Sequence, residues 1–366
     1  MGTVDLLTES GQQHIVSGGT GTAVSMNSGG AQTVSTGGHG TVSTMDKGTQ
    51  TIMDGGTGSV ELMNSMGKQD IQSGGKGTVG MLSGGRQVIA SGGVGTASTM
   101  NSGEQQILGT GTVNNLSGGS QTVSSGGYGS VGSMTDGQQH ILGSGNGMVD
   151  NLIGGSQTVS NGGRGTAGVV NNYGNQTILD GGVGSANTMS GGQQQISSGG
   201  SGLVSSMTGS GFQAIGTSGH GTVISMNSGQ QQISSTGVGT VTTMSGGSQV
   251  ISSGGTGTVN TMNNGQQQIS STGVGSVDTM HSGKQAIGTG GSGIISNMSG
   301  GSQAVSSGGK GTVISMNSGG TQTVSSGGTG TVNTMNSGSQ VISSTGHGTA
   351  NTMNGGSQVI SNGGVG

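Results

Sequence analysis

Side chains that do chemistry in proteins are few in this sequence and do not cluster. His39, His220 and His347 each fill the middle of Gly-x-Gly, whereas His14 and His140 lie between Gln and Ile. The eleven acidic residues form no pair at a recurring spacing. A metal site needs several ligands together, and acid–base catalysis needs groups within hydrogen-bond reach. We therefore predict no enzyme activity, no metal site and no cofactor.

The recurring Gly-Gly-x-Gly sequence also invites a chemical interpretation. Calcium-binding nonapeptide repeats place an Asp two residues after this motif. Here that position holds an apolar residue such as Val259, and without the carboxylate there is no hard-cation site. A dinucleotide site would need an apolar strand, a helix and a downstream acid, which are missing. We interpret these glycines as turn residues with positive φ.

The distribution of charge excludes some classes of binding partner. The net charge is −4, and the sequence has no block of like charge and no basic patch. We therefore expect no nucleic-acid partner and no direct insertion into a membrane. Between Asp180 and Asp278 there is no formally charged side chain. Contacts made by that part of the chain must rest on hydrogen bonds and van der Waals packing.

Hydroxyl groups are the abundant reactive groups of this chain. Serine follows the apolar residue of Gln-x-Ile/Val in many repeats, and threonine fills the x position in several. Two interpretations stay open: these residues keep a strand soluble, or they are acceptors for sugars. The candidate acceptors are Thr33, Thr122, Thr158, Thr323, Ser124, Ser160, Ser197, Ser234, Ser252, Ser270, Ser306, Ser325 and Ser343.

The element that must position these groups is a repeat, because Gln-x-Ile/Val occurs twenty times, about once every eighteen residues. Residues i and i+2 share a face of a strand, so Gln249 and Ile251 point to one side and Val250 to the other. An inward Gln amide can donate to one coil and accept from the next, which predicts a buried glutamine ladder. The alternative, in which Gln flanks a turn and faces water, stays open. The predicted ladder consists of Gln13, Gln32, Gln50, Gln69, Gln87, Gln105, Gln121, Gln139, Gln157, Gln176, Gln194, Gln213, Gln231, Gln249, Gln267, Gln285, Gln303, Gln322, Gln340 and Gln358.

Two further apolar positions recur and define the bends of each repeat. Val or Ala occupies the third position, as at Val259, and Met or Leu the sixth, as at Met262. Because these positions are three residues apart, the chain must bend between them if both face inward. Each coil then has two or three short strands. Some repeats have nineteen residues, with the extra one between the Met position and Gln, which indicates a solvent-exposed turn there.

Composition alone is typical of a disordered chain, since glycine fills 91 of 366 positions and charged residues are only 5%. A disordered chain has no reason to hold a register, whereas here the filler residues vary and Gln-x-Ile/Val is kept. A repeat too short to fold alone must pack against its neighbours. We predict an all-β solenoid, a parallel β-helix of about twenty 18–19-residue coils, with 1–366 as a single repeat array.

The repeat pattern continues to both ends of the sequence. Met1 to Val4 enter the repeat without a secretory leader, and Gly363 to Gly366 end within it. The sequence contains neither solenoid caps nor the alternating segments of a translocator barrel. We therefore expect a segment of a longer protein.

The stretch from Ser245 to Asn263, Ser-Gly-Gly-Ser-Gln-Val-Ile-Ser-Ser-Gly-Gly-Thr-Gly-Thr-Val-Asn-Thr-Met-Asn, resembles the repeat of self-associating autotransporter adhesins of Gram-negative bacteria. AIDA and TibA type passenger domains are the nearest in pattern, antigen-43 types are more distant, and the resemblance extends over essentially all 366 residues. It implies a right-handed parallel β-helix on the cell surface, anchored to the outer membrane through a translocator absent from this chain. It also implies heptose on Ser and Thr, added by a dedicated cytoplasmic heptosyltransferase.

Four functional hypotheses follow from these observations. The first is an adhesin rod that mediates bacterial self-aggregation, biofilm formation and host-cell adhesion, with itself, the host-cell surface and the heptosyltransferase as partners. The second is a passive glycan carrier or structural stalk. A polysaccharide-processing enzyme would need charged residues grouped on adjacent coils, and 181–277 has none. An ice-binding solenoid would need a flat Thr-x-Thr array, whereas here the corresponding faces are mixed.

Overall fold

The computed structural model describes residues 1–366, and its regular structure consists of 38 β-strands. The first eighteen are β1 (Gly2–Leu7), β2 (Gln12–Ile15), β3 (Thr20–Met26), β4 (Ala31–Val34), β5 (His39–Met45), β6 (Thr49–Ile52), β7 (Thr57–Met63), β8 (Lys68–Ile71), β9 (Lys76–Ile89), β10 (Val94–Ile107), β11 (Thr110–Leu116), β12 (Ser120–Val123), β13 (Tyr128–Met134), β14 (Gln138–Ile141), β15 (Asn146–Leu152), β16 (Ser156–Val159), β17 (Arg164–Val170) and β18 (Asn175–Ile178). The other twenty are β19 (Val183–Met189), β20 (Gln193–Ile196), β21 (Ser201–Met207), β22 (Phe212–Ile215), β23 (His220–Met226), β24 (Gln230–Ile233), β25 (Val238–Met244), β26 (Ser248–Ile251), β27 (Thr256–Met262), β28 (Gln266–Ile269), β29 (Val274–Met280), β30 (Lys284–Ile287), β31 (Ser292–Met298), β32 (Ser302–Val305), β33 (Lys310–Met316), β34 (Thr321–Val324), β35 (Thr329–Met335), β36 (Ser339–Ile342), β37 (His347–Met353) and β38 (Ser357–Ile360). The chain has no helix of the length and apolarity that a membrane crossing requires.

Contacts divide the chain into two compact units. The N-terminal unit comprises Met1–Thr177 and Gly181–Gly184, and the C-terminal unit comprises Ile178–Asp180 and Ser185–Gly366. The same coil is repeated inside each unit. The grouping of the whole chain into a single repeat array stays a prediction.

Coils stack through parallel pairing in a fixed register within each unit. Most coils contribute one strand of seven residues and one of four, and each strand pairs with its equivalent in the next coil. In the C-terminal unit, Gly239 lies opposite Gly257 in the long strands, and Gln249 lies opposite Gln267 in the short ones. The predicted parallel β-helix of about twenty coils is therefore confirmed.

Three residues of each long strand face the interior, as in β27. Gly257, Val259 and Met262 are buried, whereas Thr256 is exposed. Val259 and Met262 are three residues apart and both point inward, so the strand bends at Asn260, which lies between the paired residues Val259 and Thr261. Alternation along a straight strand would have exposed one of the two apolar residues. The bend inferred from the sequence is present.

A tight turn joins each short strand to the next long strand. In the turn from Ser252 to Gly255, the Gly255 N–H donates to the Ser252 carbonyl at 2.9 Å. Its two central residues, Ser253 and Gly254, have φ values of 48° and 81°. Positive φ at both central positions is the pattern of a type I′ turn.

The interpretation of the glycines in Gly-Gly-x-Gly as positive-φ turn residues holds for the first one, such as Gly254, and is wrong for the second and the last, Gly255 and Gly257. Gly257 lies inside the long strand and faces the interior. A Cβ there would lie 2.4 Å from Cδ1 of Ile251 and 2.8 Å from Oε1 of Gln249. This glycine is required because the inward side chains of the short strand occupy the space in front of it.

The corner after the Met position holds the extra residue of the nineteen-residue coils. In an eighteen-residue coil such as that of Met244, three residues bend directly into the next strand. In the nineteen-residue coil of Met26, the extra residue completes a turn in which the Gly30 N–H donates to the Asn27 carbonyl at 2.9 Å. Strands β9 and β10 instead run through this corner and are fourteen residues long. The insertion point predicted from the sequence is the corner that varies.

Candidate outward surfaces and the glutamine ladder

The twenty predicted ladder residues all point inward, eighteen of them from four-residue strands and Gln87 and Gln105 from the fourteen-residue strands β9 and β10. Eighteen of them are 0% exposed, and Gln13 and Gln358 are half-buried. Within each unit, every ladder glutamine after the first donates from its side-chain amide nitrogen to the side-chain oxygen of the glutamine in the preceding coil, at 2.6–2.7 Å. These bonds run from Gln13 to Gln176 in the N-terminal unit and from Gln194 to Gln358 in the C-terminal unit.

The second N–H of the amide is also used. The Gln249 amide nitrogen donates to the Gln231 side-chain oxygen at 2.7 Å and lies 3.3 Å from the Thr258 carbonyl oxygen. A buried amide in the middle of the ladder therefore has a partner for its oxygen and for both of its hydrogens, which removes the cost of burying it. The ladder fixes the register of the coils and turns the x position of Gln-x-Ile outward.

The predicted sugar acceptors lie on the outer side of the short strands or at the residue that follows them. The four threonines and eight of the serines are half-buried between the equivalent side chains of neighbouring coils. Ser160 is only 7% exposed. It is the least exposed of the thirteen candidates.

Sequence reasoning missed a more accessible set of hydroxyls, one residue further along. These serines lie at the first central position of the type I′ turn, with φ between 45° and 56°, and all are exposed. The signal that identifies them is a Ser followed by Gly or Thr at the centre of a turn that must close in four residues. They are Ser125, Ser198, Ser235, Ser253, Ser271, Ser307, Ser326 and Ser344.

The outer side of the short strands in the C-terminal unit, called here the short-strand face, is uncharged along its x column. That column runs from Gln195 to Val359 without an Asp, Glu, Lys, Arg or His. Gln232, Val250 and Gln268 are neighbours in it. Where the x residue is alanine, shallow concavities of about 280 and 320 Å³ interrupt the face, at Ala214 and Ala286.

The long strands of the same unit present a different outer surface. Thr240, Thr258 and Ser276 are register neighbours, and the Ser276 hydroxyl donates to the Thr258 hydroxyl at 3.1 Å. Asp278 and Lys310 are also exposed on these strands. The mixed character predicted for this surface is present.

Charged residues concentrate in the N-terminal unit. The Lys68 ammonium lies 2.5 Å from a carboxylate oxygen of Asp70, and Nε of Arg86 lies 3.5 Å from a carboxylate oxygen of Glu104. No three His, Asp or Glu side chains approach closely enough to hold a metal ion.

No protein-family model and no curated protein matches the chain. Among solved structures, the chain is similar to the crystal structure of the TibC-catalyzed hyper-glycosylated TibA55-350 fragment. The similarity covers 100% of this chain and 98% of that chain, at 23% sequence identity and a TM-score of 0.31. This is the type of protein that the repeat resembles.

Proposed function

We propose that the chain is an adhesin displayed on the bacterial cell surface, where it mediates self-aggregation, biofilm formation and host-cell adhesion. The observation that supports this most is the uncharged x column of the short-strand face, on which amide, hydroxyl and small apolar side chains recur. One such contact is weak, but many in register add up in the same way as linked binding sites. The role is adhesive and structural rather than enzymatic.

Self-contact through the short-strand face is favoured over contact through the long strands. Lys284 is the one formally charged side chain on the outer side of these short strands, and the x column beside it has none. Two copies that meet along the x column therefore avoid like-charge repulsion and the cost of removing ions from water. The long strands of the same unit carry Asp278 and Lys310, which remain hydrated when they face solvent. Exposed Gln232 and Gln268 supply donors and acceptors beside the half-buried Val250.

Modification with heptose is the second part of the proposal and rests on the resemblance of the repeat. The exposed turn serines favour it, because a glycosyltransferase needs a hydroxyl that protrudes from the fold. Surface display would then require a translocator outside this chain. If the sugar were the only functional group, the chain would be a passive glycan carrier or stalk, which is the alternative function.

A settling assay distinguishes these functions. Bacteria would display the chain from a surface carrier, with the carrier alone as control, each with and without a cognate heptosyltransferase. Settling without the enzyme supports association of the bare protein, and settling only with the enzyme makes the sugar part of the adhesive surface. No settling in either strain contradicts self-association and leaves the stalk. An intact mass unshifted by the enzyme would remove the glycan carrier for that enzyme.

A further inference from the structure

A concavity of about 380 Å³ lies at the corner between long and short strands in the N-terminal unit. We call it the corner pocket, and its walls include Met66, Lys68, Gly85, Arg86, Gly103 and Glu104. It forms where β9 and β10 run through the corner that is a turn in most other coils. Glycines in this stretch leave the corner without side chains, so the backbone forms part of the wall.

Two cations lie side by side in this pocket, because Lys68 and Arg86 occupy the same position on adjacent coils. Lys68 bonds to Asp70 at 2.5 Å. Arg86 pairs with Glu104 through Nε and donates through one terminal nitrogen to the Gln106 side chain. An ammonium has three N–H donors and a guanidinium has five, so both cations keep donors for a ligand.

The remaining walls supply acceptors and an apolar surface. A Cβ on Gly85 would lie 2.5 Å from the Gly67 carbonyl oxygen, and one on Gly103 would lie 2.5 Å from the Gly85 carbonyl oxygen. Only glycine fits these two positions. Met66 is 69% exposed beside them and offers an apolar side chain. Glu104 adds a carboxylate acceptor.

The four charged groups, Lys68, Arg86, Asp70 and Glu104, sum to no net charge. A sulfate would gain from the cations but has no hydrogen to donate to the Glu104 carboxylate. A ligand with one carboxylate and several hydroxyls satisfies all the walls. Its carboxylate accepts from Lys68 and Arg86, its hydroxyls donate to Glu104, and its carbon skeleton contacts Met66.

We propose that the corner pocket binds a carboxylate-bearing sugar, such as a uronic acid residue of an acidic polysaccharide. This site lies outside the short-strand face and does not depend on whether the chain associates with itself. It would give the protein a second adhesive specificity, for acidic glycan, carried by the only adjacent coils with paired cations at this position.

The test is isothermal titration calorimetry of the whole chain with trigalacturonic acid, and with neutral galactotriose as the comparison ligand. Arg86→Gln and Lys68→Gln remove one cation each. The matched control is Lys284→Gln, since Lys284 occupies the same strand position but its register neighbours are Gln266 and Ser302. We expect the acidic trisaccharide alone to bind, with about tenfold or greater weakening in R86Q and K68Q and no change in K284Q.

Glu104→Gln separates a sugar site from a general anion site. If Glu104 accepts hydroxyl hydrogens, E104Q weakens trigalacturonate binding. If the pocket only attracts anions, E104Q strengthens trigalacturonate binding, and inorganic sulfate competes. That result would overturn the proposal, as would absence of binding to the wild type, equal binding of galactotriose, or unchanged binding in both R86Q and K68Q. Thermal melts of each variant confirm that the fold is kept.

Discussion

The side-chain amide nitrogen of Gln267 lies 2.7 Å from the side-chain oxygen of Gln249, and both residues are 0% exposed. The same bond recurs from coil to coil inside each compact unit. An unpaired amide at this position would lose its hydrogen bonds to water without gaining a protein partner, so a gap in the ladder destabilises the fold. It therefore fixes both the register of the coils and the orientation of the outer surface.

Replacing one member of the ladder should be costly. In Gln249→Leu, the Gln231 oxygen loses its donor and the Gln267 amide loses its acceptor, so we expect a loss of about 1–3 kcal/mol of stability. The measurement is the midpoint of urea unfolding. Gln268→Leu, on the exposed side of the neighbouring short strand, is the matched control and should shift the midpoint little. An unchanged or raised midpoint in Q249L would contradict the ladder as a source of stability.

The inward glycine of the long strand should be irreplaceable for a steric reason. In Gly257→Ala, the new methyl group would collide with Ile251 and Gln249, and we expect a loss of about 1–3 kcal/mol from overpacking. Gly308→Asn is the comparison, since Gly308 has φ of 74° and open space around it, and Asn tolerates this backbone. Thermal unfolding should show a much larger drop for G257A. A drop for G257A no larger than the drop for G308N would contradict the steric explanation.

Thr272 offers a substitution that stabilises. It lies in the left-handed region at φ of 64°, in a turn where the preceding coil has Gly254 at 81°. A left-handed conformation costs a residue with a Cβ about 1–2 kcal/mol. Thr272→Gly should therefore raise the unfolding midpoint, and the reverse change Gly254→Thr should lower it by a similar amount. A lower midpoint in T272G would show that the Thr272 hydroxyl bond to the Ser271 carbonyl, at 2.6 Å, outweighs the strain.

Self-association, if it uses the short-strand face, should not depend on salt. Ionic strength screens attraction between charges, but the x column of this face has none. The weight-average sedimentation coefficient of the purified chain should be the same at about 0.05 and 0.5 M NaCl. A marked decrease at the higher salt concentration would indicate that charged groups such as Lys68 and Glu104 form the contact instead.

The fold was largely predictable because its constraints repeat. Gln249 and Ile251 share a face by strand geometry alone, and twenty copies of that spacing leave few alternatives to a solenoid. Gly257 was misread because the reason for it lies in Ile251, on another strand of the coil. The most exposed serines follow the predicted candidates by one residue. The spacing of the repeat predicts that Ser252 faces outward. Only the backbone conformation of the turn shows that Ser253 is the more exposed of the two.

The central claim is that the short-strand face carries self-association. Sedimentation velocity across a range of concentrations tests it on the wild type and on two triple variants. One has Gln232→Lys, Val250→Lys and Gln268→Lys on the short-strand face. The control has Thr240→Lys, Thr258→Lys and Ser276→Lys on the neighbouring long strands. We predict that the wild type and the control associate as concentration rises, whereas like charges keep the first variant monomeric. A monomeric wild type, or a first variant that associates as the control does, would contradict the claim.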